Sequence, residues 1–443
     1  MPCKVAAMRR PSMEPPVPAP APAMPVAARR ADIAAALLLA LVSAGIYALL
    51  SLRLAQGQYL AYFNLAFDFD PTRYMDLMGS AEYERGGVKH PFVLVLRALA
   101  WPARAWGATP GEAAGLVMAA IGGATVALVF LFLRTIGARR PEAVALAVLF
   151  AVSASQVITA MIAEAYGPAG FGIALVWLVA AIRLHNPSRA RVARYVAAVV
   201  GFGITTTNLM QSVIAEGLVW VRHRGVLGAI RPMLAFGVTL GVVLVVLVLL
   251  VWHAELWALL DDPVGAAKQA YWQRTKGDKV GLVAVVLRLA GYVVAPPAFT
   301  TVPIPGGIEM WDFRDPVFPG MALPATVLWH LFWAAGTVAF LANPRTRWLG
   351  AGLVAALLAN IVLHLDFQFR GSLFLYAGHV NFLVFALGCG LAPLVRRWAM
   401  ARVGYVAVVM GLTVLVGSVS LERAARIATG FDEVRVDCRA PCD

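Results

Sequence analysis

Apolar runs of roughly twenty residues recur along most of the chain, and short polar segments separate them. A bilayer core about 30 Å thick takes roughly 20 apolar residues per helix. The runs lie at about 31–52, 112–133, 141–161, 168–183, 232–252, 322–341, 347–364, 373–395 and 403–420. Residues 195–221 add two shorter passes that turn back at Thr205–Asn208, because basic residues flank both ends. The pattern therefore predicts an all-α, polytopic integral membrane protein with about eleven transmembrane helices, N-terminus inside and C-terminus outside.

Composition agrees with this class of protein. The chain is 60% hydrophobic with a mean hydropathy of +0.76, whereas soluble domains are about 45–50% apolar. A net charge of +13 in a soluble protein would favour a nucleic-acid partner. Here the basic residues cluster in short loops between spans, as the positive-inside rule expects, so the charge indicates a membrane partner and no nucleic acid.

The polar segments divide the chain. Residues 1–30, rich in Pro and Ala, are predicted to be a disordered cytoplasmic tail. A transmembrane domain follows at 31–420, and an outer tail at 421–443. Two long outer loops, 53–110 and 253–320, interrupt the domain.

Each long loop contains an apolar stretch that is not predicted to cross the membrane. The sequence PFVLVLRALAWPARAW at 91–106 mixes Arg and Trp with aliphatic residues, which is typical of a helix lying in the interface. Residues 282–302 contain Arg288 and the pair Pro296–Pro297. Counting them as a span would place the basic loops that follow on the outer side, against the positive-inside rule. We therefore interpret these residues as interfacial or re-entrant from the outer side.

The stretch FDFDPTRYMD, residues 67–76, places charged groups just after the first span. Asp68, Asp70 and Asp76 are either solvated loop carboxylates, with Asp70 starting a turn before Pro71, or one of them is a general base for an acceptor hydroxyl. Lys89 and His90 precede Pro91. They either snorkel to the interface or bind a phosphate, for which a compact ammonium charge is suited.

DPTRY at 70–74 resembles the acidic–x–Thr–Arg–Tyr motif in the first outer loop of aminoarabinose transferases and related lipid-linked sugar transferases. These belong to the GT-C class, together with the protein O-mannosyltransferases. The order of one span, a long outer loop and then Lys89-His90-Pro91 is similar as well. The resemblance implies a GT-C-like fold, Asp70 as the catalytic carboxylate, and Lys89 as a contact for a polyprenyl-phosphate sugar donor.

This chain departs from the family motif at one position. Pro71 stands where the family often has a second acid. The sequence therefore assigns no cofactor, and a divalent metal is neither assigned nor excluded.

Further candidates lie at the same predicted face. Glu164 either ends a helix before Gly167-Pro168 or is an acid that binds acceptor or sugar hydroxyls, a role for which Asp68 and Tyr74 are also candidates. Arg370 either pairs with Asp366, four residues away, or holds a phosphate bidentately. Tyr376 and His379 are either satisfied interior groups or phosphate contacts. The donor-phosphate candidates are thus Lys89, His90, Arg73, Arg370, Tyr376 and His379.

These residues favour a membrane glycosyltransferase, a hexosyl- or pentosyltransferase. It would move sugar from a polyprenyl-phosphate donor to a hydroxyl of a glycan, lipid or protein. The chain has no soluble domain for a nucleotide sugar and no phosphate-loop, HExxH or GxSxG motif. The expected location is a bacterial inner membrane, with the site facing the periplasm.

Three other classes stay open at this point. A transporter or lipid-carrier flippase usually has charges in the middle of spans and broken helices in paired halves. An O-antigen-type glycan polymerase would have its large outer loops late in the chain. A non-catalytic scaffold would tolerate replacement of Asp70.

Overall fold

The computed structural model describes residues 26–57, 75, 93–251, 281–298, 300–304, 308–312, 317–366, 373–395 and 398–429. Helices make up nearly all of this part, as the all-α prediction requires. They are α1 (Val26–Gln56), α2 (Val93–Ala105), α3 (Pro110–Thr135), α4 (Arg140–Ala151), α5 (Ala154–Met161), α6 (Tyr166–His185), α7 (Arg191–Ile204), α8 (Leu209–Val251), α9 (Leu282–Val294), α10 (Ala322–Ala342), α11 (Arg347–Asp366), α12 (Ala377–Gly388), α13 (Ala392–Val395) and α14 (Ala399–Thr429).

Eight helices in the described part are long and apolar enough to cross a membrane. The number rises to nine if α4 and α5, which meet at a 58° bend, form one broken span. The chain is thus a polytopic helical membrane protein. The sequence count of about eleven is larger because it also counts the 14-residue α7 and divides α8 into two passes.

Two predicted boundaries differ from the structure. The predicted cytoplasmic tail ends at residue 30, but α1 begins at Val26 and contains Arg29 and Arg30. The predicted outer tail begins at residue 421, but α14 continues to Thr429. Long basic side chains can reach water from within a helix, so charged residues are weak markers of a helix end.

Helix α3 lies at the centre of the N-terminal half and packs against α1, α2, α4 and α6. It starts with a capping box, in which the Glu112 N–H donates to the Thr109 hydroxyl and the Thr109 N–H donates to the Glu112 carboxylate. Close packing on α1 needs Gly123, since a Cβ there would fall on the Ala40 carbonyl oxygen.

Buried ion pairs join several helices at one end of the bundle. Asp32 of α1 accepts from Arg134 and from Arg140, each at 2.9 Å. Glu142 of α4 accepts from Arg402 of α14 at 2.6 Å. We call this the inner end, following the orientation that the sequence predicts, and we call the opposite end the outer end.

A third charged group at the inner end joins α6, α7 and α8. Glu216 pairs with Arg194 and, at 3.0 Å, with Arg183. It also accepts from the Trp220 indole N–H at 2.6 Å. Arg183 is only 1% exposed. Because a charge buried this deeply is tolerated only when it is paired, this group fixes how the three helices meet.

Helix α7 enters from the inner end, and the chain turns back at Thr206–Asn208 into α8, as the polar residues there predicted. Helix α8 has 43 residues and is two helices joined at Gly225, whose φ of 70° breaks the helical geometry. We call residues 209–224 the first part of α8 and residues 226–251 the second part.

Helix α9 has 13 residues, about 20 Å at 1.5 Å per residue, which is too short to cross a bilayer. It runs antiparallel to the start of α10. The Trp329 indole donates to the Ala290 carbonyl at 2.9 Å, and His330 contacts the Leu287 carbonyl at 3.0 Å. This agrees with the re-entrant interpretation. A short antiparallel hairpin, β1 (Thr300–Ile304) with β2 (Ile308–Asp312), follows it.

Helix α2 fits the predicted interfacial helix. Leu96 and Ala100 are buried in a cluster with residues of α3, while Trp101 and Trp106 are exposed. One apolar face on the bundle and tryptophans on the other are expected of a helix at the membrane surface.

Candidate functional site

Three chain segments that are distant in sequence meet at the outer end. They are the start of α6, the end of α11 and the start of α12. Tyr166 lies 5.0 Å from His379 and 5.9 Å from Tyr376, measured between ring centroids. His364 lies 4.2 Å from Tyr376 and 5.5 Å from His379. With Glu164, two residues before Tyr166, these four rings form what we call the outer cluster.

The polar members of the outer cluster are buried. Glu164 is 6% exposed, His364 3% and His379 6%. The Glu164 carboxylate accepts from the Ala165 N–H at 2.9 Å, at the start of α6, where the helix dipole favours a negative charge. Neither ring nitrogen of His364 has a hydrogen-bond partner within the described part of the chain. Buried histidines nearly always have one, so His364 retains hydrogen-bonding capacity.

Glycine residues allow the cluster to form. A Cβ at Gly378 would lie 2.9 Å from the carbonyl oxygen and from the Cβ of Tyr166. A Cβ at Gly170 would lie 3.0 Å from the Gly378 carbonyl oxygen. Helices α6 and α12 therefore approach through their backbones, which brings His379 beside Tyr166.

Met75 joins the first outer loop to this region. It packs against the apolar cluster that contains Ala163 and Ala165, the two neighbours of Glu164, together with residues of α2 and α3. It also packs against the main core of the bundle. Met75 therefore fixes one point of the loop, one residue after the DPTRY motif, against the outer end.

Three of the predicted site residues lie in the described part, namely Glu164, Tyr376 and His379, and the structure brings them together. The segments that carry them meet at the outer end through the rings of Tyr166, Tyr376 and His379, and the roles of the three residues stay predictions. The remaining candidates lie outside the described residues: Asp68, Asp70, Arg73, Tyr74, Lys89, His90 and Arg370.

Two amide side chains that the sequence analysis did not single out lie near the outer cluster. Asn381, two residues after His379, donates to Gln156 of α5 at 3.4 Å, and Gln156 donates to the Gly122 carbonyl at 3.1 Å. Both are almost fully buried. The signal in the sequence that could have identified them is a lone amide side chain within an apolar run. This chain of hydrogen bonds ties the start of α12 to α5 and α3.

The described residues contain no group of three or more His, Cys, Asp or Glu side chains that could hold a metal ion. What the outer cluster does offer is a buried carboxylate beside hydroxyl and imidazole groups. This set can accept hydrogen bonds from sugar hydroxyls and donate hydrogen bonds to phosphate oxygens.

No protein-family model matches the chain, and no curated protein matches it. Among solved structures, it is similar to the oligosaccharyltransferase of Archaeoglobus fulgidus in the apo form, with 14% identity and a TM-score of 0.41. That alignment covers 89% of this chain and 56% of the other.

The same archaeal enzyme, AglB, in complex with an inhibitory peptide and a dolichol-phosphate aligns at 13% identity with a TM-score of 0.43. That alignment covers 88% of this chain and 55% of the other, so the chain spans just over half the length of these structures. Similarity this low does not carry the archaeal enzyme's activity over to this chain.

Proposed function

We propose that this protein is a membrane glycosyltransferase that moves a sugar from a polyprenyl-phosphate donor to a hydroxyl acceptor at the outer end of the bundle. The observation that supports the proposal is the packing of Met75 against the apolar cluster that contains Ala163 and Ala165. Met75 directly follows the DPTRY motif, and Ala163 and Ala165 are the two neighbours of Glu164. The proposal does not rest on the archaeal structures.

In the proposed reaction, Asp70 takes the proton of the acceptor hydroxyl as its oxygen attacks the anomeric carbon of the donor. The bond from that carbon to the phosphate oxygen breaks, and its electron pair leaves with the polyprenyl phosphate. Direct displacement inverts the anomeric centre. General-base catalysis of this kind contributes about 10²- to 10⁴-fold.

The leaving phosphate gains negative charge, and cationic groups stabilise it. Lys89, Arg73 and Arg370 supply this charge in the proposal, and His90 and the pair Tyr376 and His379 donate hydrogen bonds. Glu164, with Asp68 and Tyr74, accepts from hydroxyls of the sugar or the acceptor. His364, whose ring nitrogens have no hydrogen-bond partner among the described residues, offers one more donor to the same phosphate.

The test uses the purified full-length protein in nanodiscs, with a panel of labelled polyprenyl-phosphate sugars. Replacement Asp70→Asn keeps the side-chain shape but removes the base, so transfer should fall by about 10²- to 10⁴-fold while donor binding and thermal stability stay unchanged. Asp76→Asn is the matched control, because it removes the same charge from the same stretch and should leave transfer near the wild-type rate.

Other outcomes would contradict parts of the proposal. Full activity of Asp70→Asn would move the base to Asp68, Asp76 or Glu164. A product with retained anomeric configuration would exclude direct displacement. No transfer by the wild-type protein with any donor, together with movement of lipid-linked sugar between leaflets, would favour the flippase class instead.

A further inference from the structure

A basic hollow of about 560 Å³ lies at the inner end, opposite the proposed active site. Its walls come from the end of α6, the start of α7 and the first part of α8. Its volume falls within the range of about 300–1,000 Å³ that small-molecule sites occupy. The basic and aromatic side chains that line it are Arg183, Arg191, Arg194, Arg224, His223 and Trp220.

The charge in this basic hollow is only partly neutralised by the described residues. Four guanidinium groups line it, and Glu216 pairs with two of them, Arg183 and Arg194. Arg191 and Arg224 are exposed and form no ion pair within the described ranges. The Nε atoms of Arg183 and Arg194 are buried and have no hydrogen-bond partner there. Donors left in this state indicate an anion with several acceptor oxygens, such as a phosphate.

An apolar groove of about 590 Å³ lies next to the basic hollow. It runs between the two parts of α8, where the break at Gly225 separates them. Gly217 and Val221 line it from the first part, and aliphatic side chains such as Ile230 and Leu234 line it from the second. Ile230 and Leu234 are also exposed on the surface of the bundle, where a membrane lipid would meet them.

The hollow and the groove share one wall. In the first part of α8, Trp220 and Arg224 face the basic hollow, and Gly217 and Val221 face the groove. At 3.6 residues per turn, these two rows lie about 60° apart on the same two turns of helix. A molecule with an anionic head and an apolar chain can therefore fill both spaces at once.

We propose that this composite site binds one anionic phospholipid of the inner leaflet, with its phosphate in the basic hollow and an acyl chain in the apolar groove. A soluble phosphate compound would use the hollow and leave the groove unused. Basic pockets between helices on the cytoplasmic side commonly hold anionic lipid headgroups. The inference concerns the inner end and does not depend on the proposed transferase activity.

Binding of added lipids to the full-length protein in detergent, followed by native mass spectrometry, tests the proposal. The probes are phosphatidylglycerol, phosphatidylcholine with the same chains, and glycerol 3-phosphate. One phosphatidylglycerol should bind at least tenfold more tightly than phosphatidylcholine. Glycerol 3-phosphate should bind more weakly than phosphatidylglycerol.

Two pairs of variants test the binding of the lipid headgroup and the binding of its acyl chain separately. The double change Arg191→Gln and Arg224→Gln should weaken phosphatidylglycerol binding at least tenfold. The control is the double change Arg345→Gln and Arg347→Gln, at residues exposed on the inner end outside the hollow. It should leave the affinity for phosphatidylglycerol within twofold of the wild-type value. These arginines form no described ion pair, so the variants should fold, and thermal unfolding verifies this.

The second pair fills the groove. A Cβ at Gly237 meets no atom within 4 Å, and Gly237 lines the groove, so Gly237→Phe should displace the acyl chain and weaken binding about tenfold. Gly404→Phe, at an equally open position on α14, is the control. The proposal is overturned if phosphatidylcholine binds equally well, if glycerol 3-phosphate binds more tightly, or if each variant binds like its control.

Discussion

The inner and outer ends of the bundle hold their buried polar groups in different ways. At the inner end, Asp32, Glu142 and Glu216 each contact at least one arginine within the described part. At the outer end, the ring of His364 contacts those of Tyr376 and His379, and its nitrogens have no hydrogen-bond partner among the described residues. Ion pairs fix the inner end in one arrangement, whereas His364 at the outer end retains hydrogen-bonding capacity for a ligand.

The difference follows from the cost of burying charge. A buried carboxylate or guanidinium is tolerated only with a partner, so charged groups at the inner end serve the structure first. A neutral imidazole or phenol costs less to bury, so it can stay partly unsatisfied until a substrate arrives. Substitutions at the inner end should therefore change stability, and substitutions at the outer end should change activity.

The largest effect is expected at Glu216. Glu216→Gln removes the charge that Arg183 and Arg194 share, and Arg183 is almost fully buried. Loss of one partner of a buried pair costs about 3–5 kcal/mol, so the free energy of unfolding should fall by that amount. Thermal and denaturant unfolding in detergent measures it.

Its control is Glu422→Gln, which breaks the exposed pair with Arg426 on α14. Exposed pairs contribute about 0–1 kcal/mol, so this variant should unfold like the wild type. If both variants lose equal stability, the inner end is not fixed by its buried charges.

At the outer end, Glu164→Gln tests the opposite behaviour. A charge-assisted hydrogen bond contributes about 1.5–3 kcal/mol, so sugar transfer should fall about ten- to a hundredfold, mainly through a higher KM, with stability nearly unchanged. Glu112→Gln is the matched control, since Glu112 also stands at an outer helix start, where it caps α3. That variant should lose about 1 kcal/mol of stability and keep its KM. The reverse result would make Glu164 a structural residue.

Some features of the two ends could be predicted from the sequence, and others could not. The turn at residues 205–208 followed from polar residues between basic flanks. The meeting of the segments that carry Tyr166, Tyr376 and His379 agrees with the predicted side of each span. Both inferences need only the direction in which the chain crosses the membrane.

Contacts that depend on helix rotation could not be predicted. Glu216 is a single acid in an apolar helix, and its pairing with Arg183 depends on how α6 and α8 face each other. Asn381 and Gln156 are 225 residues apart, and nothing local relates them. Such contacts arise from packing, which depends on the shapes of many side chains at once.

A smaller loss of stability is expected where α6 and α12 approach. Gly378→Ala places a methyl group 2.9 Å from the Tyr166 carbonyl oxygen, and overpacking of this kind costs about 1–3 kcal/mol. Because the two helices would separate, transfer should also fall. Gly404→Ala, which meets no atom within 4 Å, should instead gain about 0.5–1 kcal/mol from helix propensity. Unchanged unfolding of Gly378→Ala would show that the outer cluster does not need this close contact.

The smallest change in stability, and the sharpest test of the comparison, is expected at His364. His364→Phe removes two ring nitrogens that have no partner in the described part of the chain, so the free energy of unfolding should stay level or rise by up to about 1 kcal/mol. If those nitrogens serve the donor phosphate, the KM for the donor should rise several-fold in the same variant. His379→Phe is the comparison, because His379 has further interactions in the structure and should lose stability as well as activity. A His364→Phe protein that is destabilised yet fully active would mean that the ring is structural, and the outer end would then resemble the inner one.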